Sequence, residues 1–214
     1  MHPPEWKTAN CVVIPKKGKA NYNDPNSYRP ISLLPCLGKL LETITAKRLA
    51  LAATQTGATH PSQMGAMSDN SAIDALLRTI TPIANTISIG RKSSKTIPRP
   101  AVLTHDIEGA FNQVHPTTLH DIMLQRRMPN YLTNWVAAFN SDRRLAFGFD
   151  QQTEKPQPYK CGLPQGSPIS PILFLIYSNA MLEQTHYYPA DATNTSYVDD
   201  VCMNRPPSLE QTHY

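Results

Sequence analysis

The sequence predicts an α+β fold, and three observations carry that prediction. Runs such as Cys11-Val12-Val13-Ile14-Pro15 and Ala101-Val102-Leu103-Thr104-His105-Asp106-Ile107 have the apolar, β-branched content of strands. Leu145, Phe147 and Phe149 alternate with Arg144, Ala146 and Gly148 at the period of two that a strand imposes. Between such runs, apolar residues recur at helical spacing.

Taken in order, Cys11–Pro15 reads as a strand closed by proline, followed by an exposed basic loop, Lys16-Lys17-Gly18-Lys19. Leu37, Leu40, Leu41, Ile44 and Leu49 then mark an amphipathic helix that leaves Lys39, Lys47 and Arg48 for its wet side. A second helix is expected from Ser71, with Ile73, Leu76, Leu77 and Ile80 as one apolar stripe. Asp69, Asn70 and Ser71 are its N-cap candidates. Pro82 should end or kink it, and Gly90 to Pro100 reads as a solvated basic loop. The run from Ala101 to Ile107 carries no breaker and is the best candidate for a central strand. A helix follows Pro116, with Leu119, Ile122 and Met123 inward, and another runs from near Asn130 through Trp135 and Phe139. A return strand is expected near Tyr159, then a tight Pro-Gln-Gly turn and a strongly apolar helix from about Ser167 to Leu182. Thr195 to Met203 reads as a hairpin with two acids at its tip.

Those acids are the chemically informative feature. Tyr197-Val198-Asp199-Asp200 sets two carboxylates side by side after an apolar, aromatic stretch, and Asp106 ends another such stretch far upstream. Adjacent aspartates repel, and their ionised pair is best tolerated where a divalent cation supplies the opposite charge. Three acids delivered by strand ends suit a site for two magnesium ions and point to nucleotidyl transfer. Charge distribution agrees: residues 1 to 105 hold 13 Lys/Arg against 5 Asp/Glu, a balance of +8, and residues 106 to 214 hold 7 against 11, a balance of −4. Such a split suits a protein that grips phosphates with one part and metals with the other, although uneven solvated surface charge explains the count equally well.

At 214 residues, with 40% apolar content, the chain has room for one domain or two small lobes sharing a core. Its 20 prolines against 9 glycines imply many fixed turns. Cys11, Cys36, Cys161 and Cys202 are scattered, so neither a zinc ribbon nor a disulfide framework is indicated and an intracellular setting is expected. No stretch approaches a membrane span and no signal core opens the chain, so no membrane partner is expected. His115 and His120 lie five apart, off the helical ligand spacing, and His60, His105 and His186 have no sequence partners, so a histidine metal site is not supported. The hexamer Leu182-Glu183-Gln184-Thr185-His186-Tyr187 recurs as Leu209 to Tyr214, which suggests a truncated or rearranged reading frame.

Five blocks, in order, give the chain a resemblance to a known family. Trp6 through Ile14-Pro15-Lys16, Tyr28-Arg29-Pro30-Ile31-Ser32-Leu33-Leu34 with Lys39-Leu40-Leu41-Glu42, Asp106 to Phe111, Gly162 to Pro171, and Tyr197-Val198-Asp199-Asp200 resemble the reverse transcriptase domain of non-LTR (LINE-type) retrotransposons. The resemblance runs from about Trp6 to Met203. It implies a right-hand polymerase: a basic, fingers-like region over residues 1–100, and over 101–214 a palm whose antiparallel sheet, packed with helices, carries the carboxylates, the thumb being absent. It implies that Asp106 and Asp199 ligate two Mg2+ ions, or Mn2+, with the Ile107 carbonyl as a further ligand and Asp200 beside them. Ile107, Glu108, Gly109 and Ala110 would lie against the triphosphate. Phe111 would sit beneath the sugar, where an aromatic ring excludes a 2′-hydroxyl and favours dNTP; its plain alternative is a core aromatic. Gln165 and Gly166 would contact the nascent base pair, although a turn leading into a helix needs no ligand. Arg29 would contact the triphosphate or template phosphates. Lys16, Lys17 and Lys19, with Tyr197, would contact nucleic acid, although for any one lysine taken singly a solvated surface position is the favoured reading.

The implied partners are an RNA template, a DNA primer and the remainder of a retroelement polyprotein, and the implied compartment is the nucleus. Two departures from the family pattern bear on activity. Gln63-Met64-Gly65 is followed by Ala66-Met67-Ser68 where the family carries an arginine, so a triphosphate contact is expected to be missing. The chain also stops 14 residues after Asp200, so a fingers–palm fragment with weak or no independent activity is expected. The alternatives are a group II intron-type reverse transcriptase fragment and a catalytically inactive nucleic-acid-binding remnant.

Overall fold

The structure is a computed structural model and describes residues 2–68, 70–93, 100–149, 152–183 and 193–205. In chain order the elements are β1 (Thr8–Pro15), β2 (Tyr28–Leu33), α1 (Cys36–Thr56), α2 (Ala72–Ser93), β3 (Ala101–Asp106), α3 (Pro116–Gln125), α4 (Asn130–Asn140), β4 (Arg144–Phe149), β5 (Gln152–Thr153), β6 (Gln157–Pro158), α5 (Ser170–Glu183), β7 (Thr193–Tyr197) and β8 (Asp200–Arg205). They gather into two units that interleave along the chain: residues 1–58 with 109–177, and residues 59–108 with 178–214. Among the described residues no helix is long and apolar enough to cross a membrane.

The first unit is built on a sheet ordered β2-β1-β4-β5, with β6 also paired to β4. β1 runs antiparallel to β2 and parallel to β4. Helix α3 packs on α4, and their buried residues Leu119, Met123, Leu132, Val136 and Phe139 form much of the core. That much follows the sequence periodicity.

Helix α1 does not. It forms where expected and ends at Gly57, which takes the left-handed conformation (φ 66°) while the Ala58 N–H reaches back to the Ala53 carbonyl at 2.8 Å. Its inner face, however, is only partly the expected one: Leu49 is buried and Lys47 and Arg48 are exposed as expected, but Leu37, Leu40, Ile44 and Leu51 are 46–66% exposed, while Gly38, Glu42, Thr45, Ala52 and Ala53 are buried. Polar pairing sets the face. The Ser167 hydroxyl donates to the Glu42 carboxylate, and Thr45 returns its hydroxyl to the Leu41 carbonyl at 2.9 Å. Burial is the main force pushing the Glu42 carboxyl up, against the Ser167 hydrogen bond and the Arg143 charge.

His2 is also buried, among the rings of Trp6, Trp135 and Phe139 at centroid distances of 5.4–5.9 Å. Burial first, then the charges of Arg143 and Lys7, lower its pKa from 6.5 to about 4. A base whose pKa is lower folded than unfolded binds fewer protons in the native state. Its stabilising contribution is complete above the unfolded pKa and declines as pH falls through 6.5 towards 4. Thermal melts are therefore expected to drop across that window, and His2→Phe is expected to flatten the drop.

The second unit holds a three-stranded antiparallel sheet ordered β3-β8-β7, with α2 packed against β7 and β8. Helix α2 starts at a reciprocal cap: Asp74 Oδ2 accepts the Ser71 N–H at 2.9 Å, and Ser71 Oγ accepts the Asp74 N–H at 3.2 Å. Of the three cap candidates Ser71 is the one used; Asp69 lies outside the described residues. Pro82 does not end the helix, which continues to Ser93, so residues 90–93 are helical where a loop is expected from sequence. Residues 94–99 lie outside the described residues. Ala75 of α2 is buried, whereas Ile73, Leu76, Leu77 and Ile80 are 47–69% exposed. Strand β3 is likewise a correction to the expected central strand: among the described residues it is an edge of the sheet, exposed at every position. Much of the repeated hexamer falls in residues 184–192 and 206–214, outside the described residues.

Candidate active site

The antiparallel register of the three-stranded sheet brings the acids of the second unit together. Asp106, the last residue of β3, lies opposite Asp200, the first residue of β8, and Asp200 lies opposite Tyr197, the last residue of β7. The hairpin between β7 and β8 is closed by Val198 and Asp199, so the second adjacent acid occupies the turn. Val198 has a φ of 59°, and among the described residues Asp199 is not one of those with positive φ, which is the pattern of a type II′ turn. Hairpin turns of this kind normally place glycine where Val198 stands.

Asp106 and Asp200 are exposed and Asp199 is half-buried. Burial foremost, with the like charges of Asp200 and Asp106, pushes the Asp199 carboxyl above the ordinary carboxylate range, and a backbone hydrogen bond opposes the shift. The three acids thus share one electrostatic neighbourhood. Their side chains are not gathered into a ready-made cage: among the described residues no group of three His, Cys, Asp or Glu side chains is placed to hold an ion. The donor chemistry nevertheless fits a hard divalent cation, since all three are carboxylates delivered from adjoining strand ends. A cavity of about 660 Å3 in the same unit is lined by Ala75 and Thr79 of α2 and by Thr104, Asp106, Tyr197 and Asp200 of the sheet.

Ile107 and Glu108 follow β3 in this unit, whereas Gly109, Ala110 and Phe111 begin the second stretch of the other. In that first unit Gly109 is left-handed (φ 65°) and opens a short turn in which Ala110 is buried and Phe111 half-buried. The Phe111 ring stacks on Phe174 with centroids 5.3 Å apart, a contact that any core aromatic would make. The loop carrying Gln165 and Gly166 is tied to this turn: Leu163 N–H donates to the Phe111 carbonyl at 2.7 Å and Gly162 N–H to the Val114 carbonyl at 2.8 Å. It is tied equally to β2, where the Ser32 N–H donates to the Gln165 carbonyl at 2.7 Å. A Cβ at Gly166 (φ 114°) would stand 2.7 Å from the Ser32 carbonyl oxygen, so only glycine fits this docking.

Phe111, Gln165 and the strand bearing Arg29 are thereby assembled in one unit. The exposed Arg29 is on β2, and Ser32, Asn112 and Gln165 line a cavity of about 310 Å3. Lys17 and Lys19 are exposed in the loop after β1, while Lys16 Nζ is tied back to the Asn26 carbonyl at 3.0 Å.

Sequence reasoning noted Gln63 and Gly65 only for the arginine that does not follow them. In the structure both lie against the acidic turn: Gln63, 4% exposed, hydrogen-bonds to Val198, and Gly65 abuts its backbone. The signal that could have found them was the Gln-x-Gly spacing itself.

Residues 14–205 match the family model described as reverse transcriptase (RNA-dependent DNA polymerase). The chain is 30% identical over 205 residues to the RNA-directed DNA polymerase from mobile element jockey of Drosophila melanogaster, covering 94% of this chain and 21% of that protein. It is 28% identical over 201 residues to the probable RNA-directed DNA polymerase from transposon X-element of the same species, at 94% and 21% coverage. It is 30% identical over 187 residues to the retrovirus-related Pol polyprotein from type-1 retrotransposable element R2 of Popillia japonica, at 85% and 23%. The chain therefore spans about a fifth of the length of these relatives. Among solved structures, telomerase from Candida tropicalis in complex with a fragment of telomeric RNA superposes with a TM-score of 0.65 at 14% identity, covering 97% of this chain and 37% of that one. The apo telomerase truncated from the C-terminal domain gives 0.64 at 15% identity, covering 95% and 44%. At such identities the likeness shows the fold alone.

Proposed function

Because the chain belongs to the reverse transcriptase (RNA-dependent DNA polymerase) family, we propose that it is the fingers–palm portion of a non-LTR retrotransposon polymerase that adds dNTP to a DNA primer on an RNA template. The observation that carries the reading is the register that sets Asp106 against Asp200 with Asp199 in the adjoining turn. Asp106 and Asp199, with the Ile107 carbonyl, would hold Mg2+ or Mn2+, and Asp200 would shape the field beside them. Divalent cations, when bound, lower the charge cost of deprotonating a primer 3′-hydroxyl and of releasing pyrophosphate.

The remaining roles fall to the chain's own groups. The backbone from Ile107 to Ala110, Glu108 and Gly109 included, lies along the triphosphate, and Phe111 packs under the sugar and excludes a 2′-hydroxyl. Gln165 and Gly166 meet the nascent pair, where glycine lets the backbone approach closely. Arg29, Lys16, Lys17 and Lys19 balance phosphate charge, and Tyr197 contacts nucleic acid. Residues 1–100 act as fingers and 101–214 as palm, the rest of a polyprotein supplies further contacts, and the work is done inside the cell, in the nucleus.

Primer extension on an RNA template with dNTPs and Mg2+ tests the reading. Template-dependent, chelator-sensitive extension supports it; RNA retention with no extension at any divalent cation concentration overturns it. That second outcome is what a non-catalytic nucleic-acid-binding remnant predicts. The absence of a basic residue between Gly65 and Ser68 favours this alternative.

A further inference from the structure

We infer that Gln63 is a positioning residue for Asp199: its side-chain amide holds the Val198–Asp199 turn in the one conformation that sets the direction of the carboxylate. The inference rests on the reading of Asp199 as catalytic, and it starts from strain. A β-branched residue at positive φ is an outlier, and such backbone persists only where its surroundings over-determine it. Val198, at φ 59°, is over-determined by one side chain. Gln63 Oε1 accepts the Val198 N–H at 3.0 Å, and Gln63 Nε2 donates to the Val198 carbonyl at 3.3 Å, so a single amide satisfies both backbone polar groups of the strained residue.

The remaining capacity of that amide fixes its own orientation. Oε1 also accepts the Gly65 N–H at 3.0 Å, and Nε2 also donates to Ser196 Oγ at 3.0 Å. Two N–H groups converge on the oxygen and two oxygens on the nitrogen, so a flipped amide would set donors against donors. Gln63 is itself anchored by backbone bonds on both sides. Its N–H donates to the His60 carbonyl at 2.9 Å, Met64 N–H to the Ser196 carbonyl at 2.7 Å, and Ser196 N–H to the Ser62 carbonyl at 2.9 Å. Gly65 closes the clamp: a Cβ there would stand 2.6 Å from Val198 Cγ2 and 2.7 Å from Val198 N. Rotation about the Val198 backbone swings the following peptide and with it the Asp199 side chain. Releasing the clamp therefore re-aims the carboxylate without removing it.

The test uses Gln63→Ala, with Gln63→Glu as the conservative variant that retains the acceptor for two N–H groups. Amide hydrogen exchange at Val198 in the 214-residue chain is expected to accelerate about tenfold or more in Gln63→Ala. Exchange in α3 and α4 should be unchanged, and Gln63→Glu should fall between. In primer extension kcat is expected to fall by about 10²-fold, the scale of a small misplacement of a reacting group, with KM for dNTP and RNA affinity within about threefold. Val198→Gly removes the strain, so adding Gln63→Ala to it should lower kcat by less than about tenfold more. Unchanged exchange at Val198 in Gln63→Ala overturns the clamp, and accelerated exchange with unchanged kcat overturns the positioning role. A wild-type chain with no extension overturns the catalytic reading instead, and exchange at Val198 and Asp199 then decides the clamp by itself.

Discussion

Asp199→Asn is expected to lower Mg2+-dependent nucleotide incorporation by ~10³-fold or more while leaving the fold and RNA retention intact. On the proposed role of Asp199 as a metal ligand, the magnitude follows from removing an anionic donor where a divalent cation would contribute several kcal/mol of charge stabilisation, each 1.36 kcal/mol being tenfold in rate. The fold should survive because the carboxyl is already held above its ordinary range by burial and by its acidic neighbours Asp200 and Asp106. An isosteric neutral amide relieves that repulsion, so the melting temperature should stay level or rise. RNA retention should hold or strengthen for the same reason, since one negative charge beside a phosphate backbone is lost. Asp106→Asn, opposite Asp200 in the register, should match this loss, and Asp200→Asn should show less. The check is single-nucleotide extension across a Mg2+ titration, run beside filter retention of RNA across a salt series. Wild-type incorporation in Asp199→Asn would remove the acids from the chemistry.

The parts of this site legible in sequence are those that local chemistry decides. An aromatic strand, a two-residue turn and a returning strand place Asp199 and Asp200 by the period of two alone, and the hairpin from Thr193 to Arg205 is the result. The run ending at Asp106 was legible as a strand for the same reason. Its place in the sheet was not: high apolar content argues for the centre, yet β3 pairs only with β8 among the described residues.

Helix α1 shows the limit most plainly. Periodicity marks Leu37, Leu40 and Ile44 as the inner face, but the face is chosen by Glu42, whose partner Ser167 lies 125 residues away. No window of neighbouring residues contains that information. The clamp on Val198 is illegible in the same way, because Gln63 meets it across 135 residues and because positive φ at a valine is a cost that only the tertiary surroundings explain. Interleaving of the two units has the same origin: residues 59–108 and 178–214 are joined by strand pairing between β3 and β8, which composition along the chain does not announce.

Phe139→Ala is expected to destabilise the first unit by about 3–5 kcal/mol, the range for truncating a buried aromatic. Phe139 is fully buried, stacked on Trp135 at 5.3 Å and packed edge-on to His2 at 5.4 Å. The Arg143 guanidinium lies 4.3 Å from its ring centroid. Truncation opens a cavity and also strips the aromatic face from a buried cation whose pKa is already lowered to about 10, chiefly by burial. Arg143 Nη1 still donates to the residue 139 carbonyl at 3.1 Å, so the loss is of packing and π contact, not of that bond. Phe139→Leu, which refills most of the volume, should therefore recover most of the loss and leave about 0.5–2 kcal/mol assignable to the ring. Acid supplies an independent check. Opening the cavity lets water reach His2, so its pKa should return from about 4 towards 6.5 and its share of the acid-side decline should shrink. Wild type then loses stability between pH 7 and pH 5 that Phe139→Ala has already forfeited, and the gap between them in urea unfolding should narrow at pH 5. A gap of equal size at both pH values would show that His2 is not held neutral by this ring cluster.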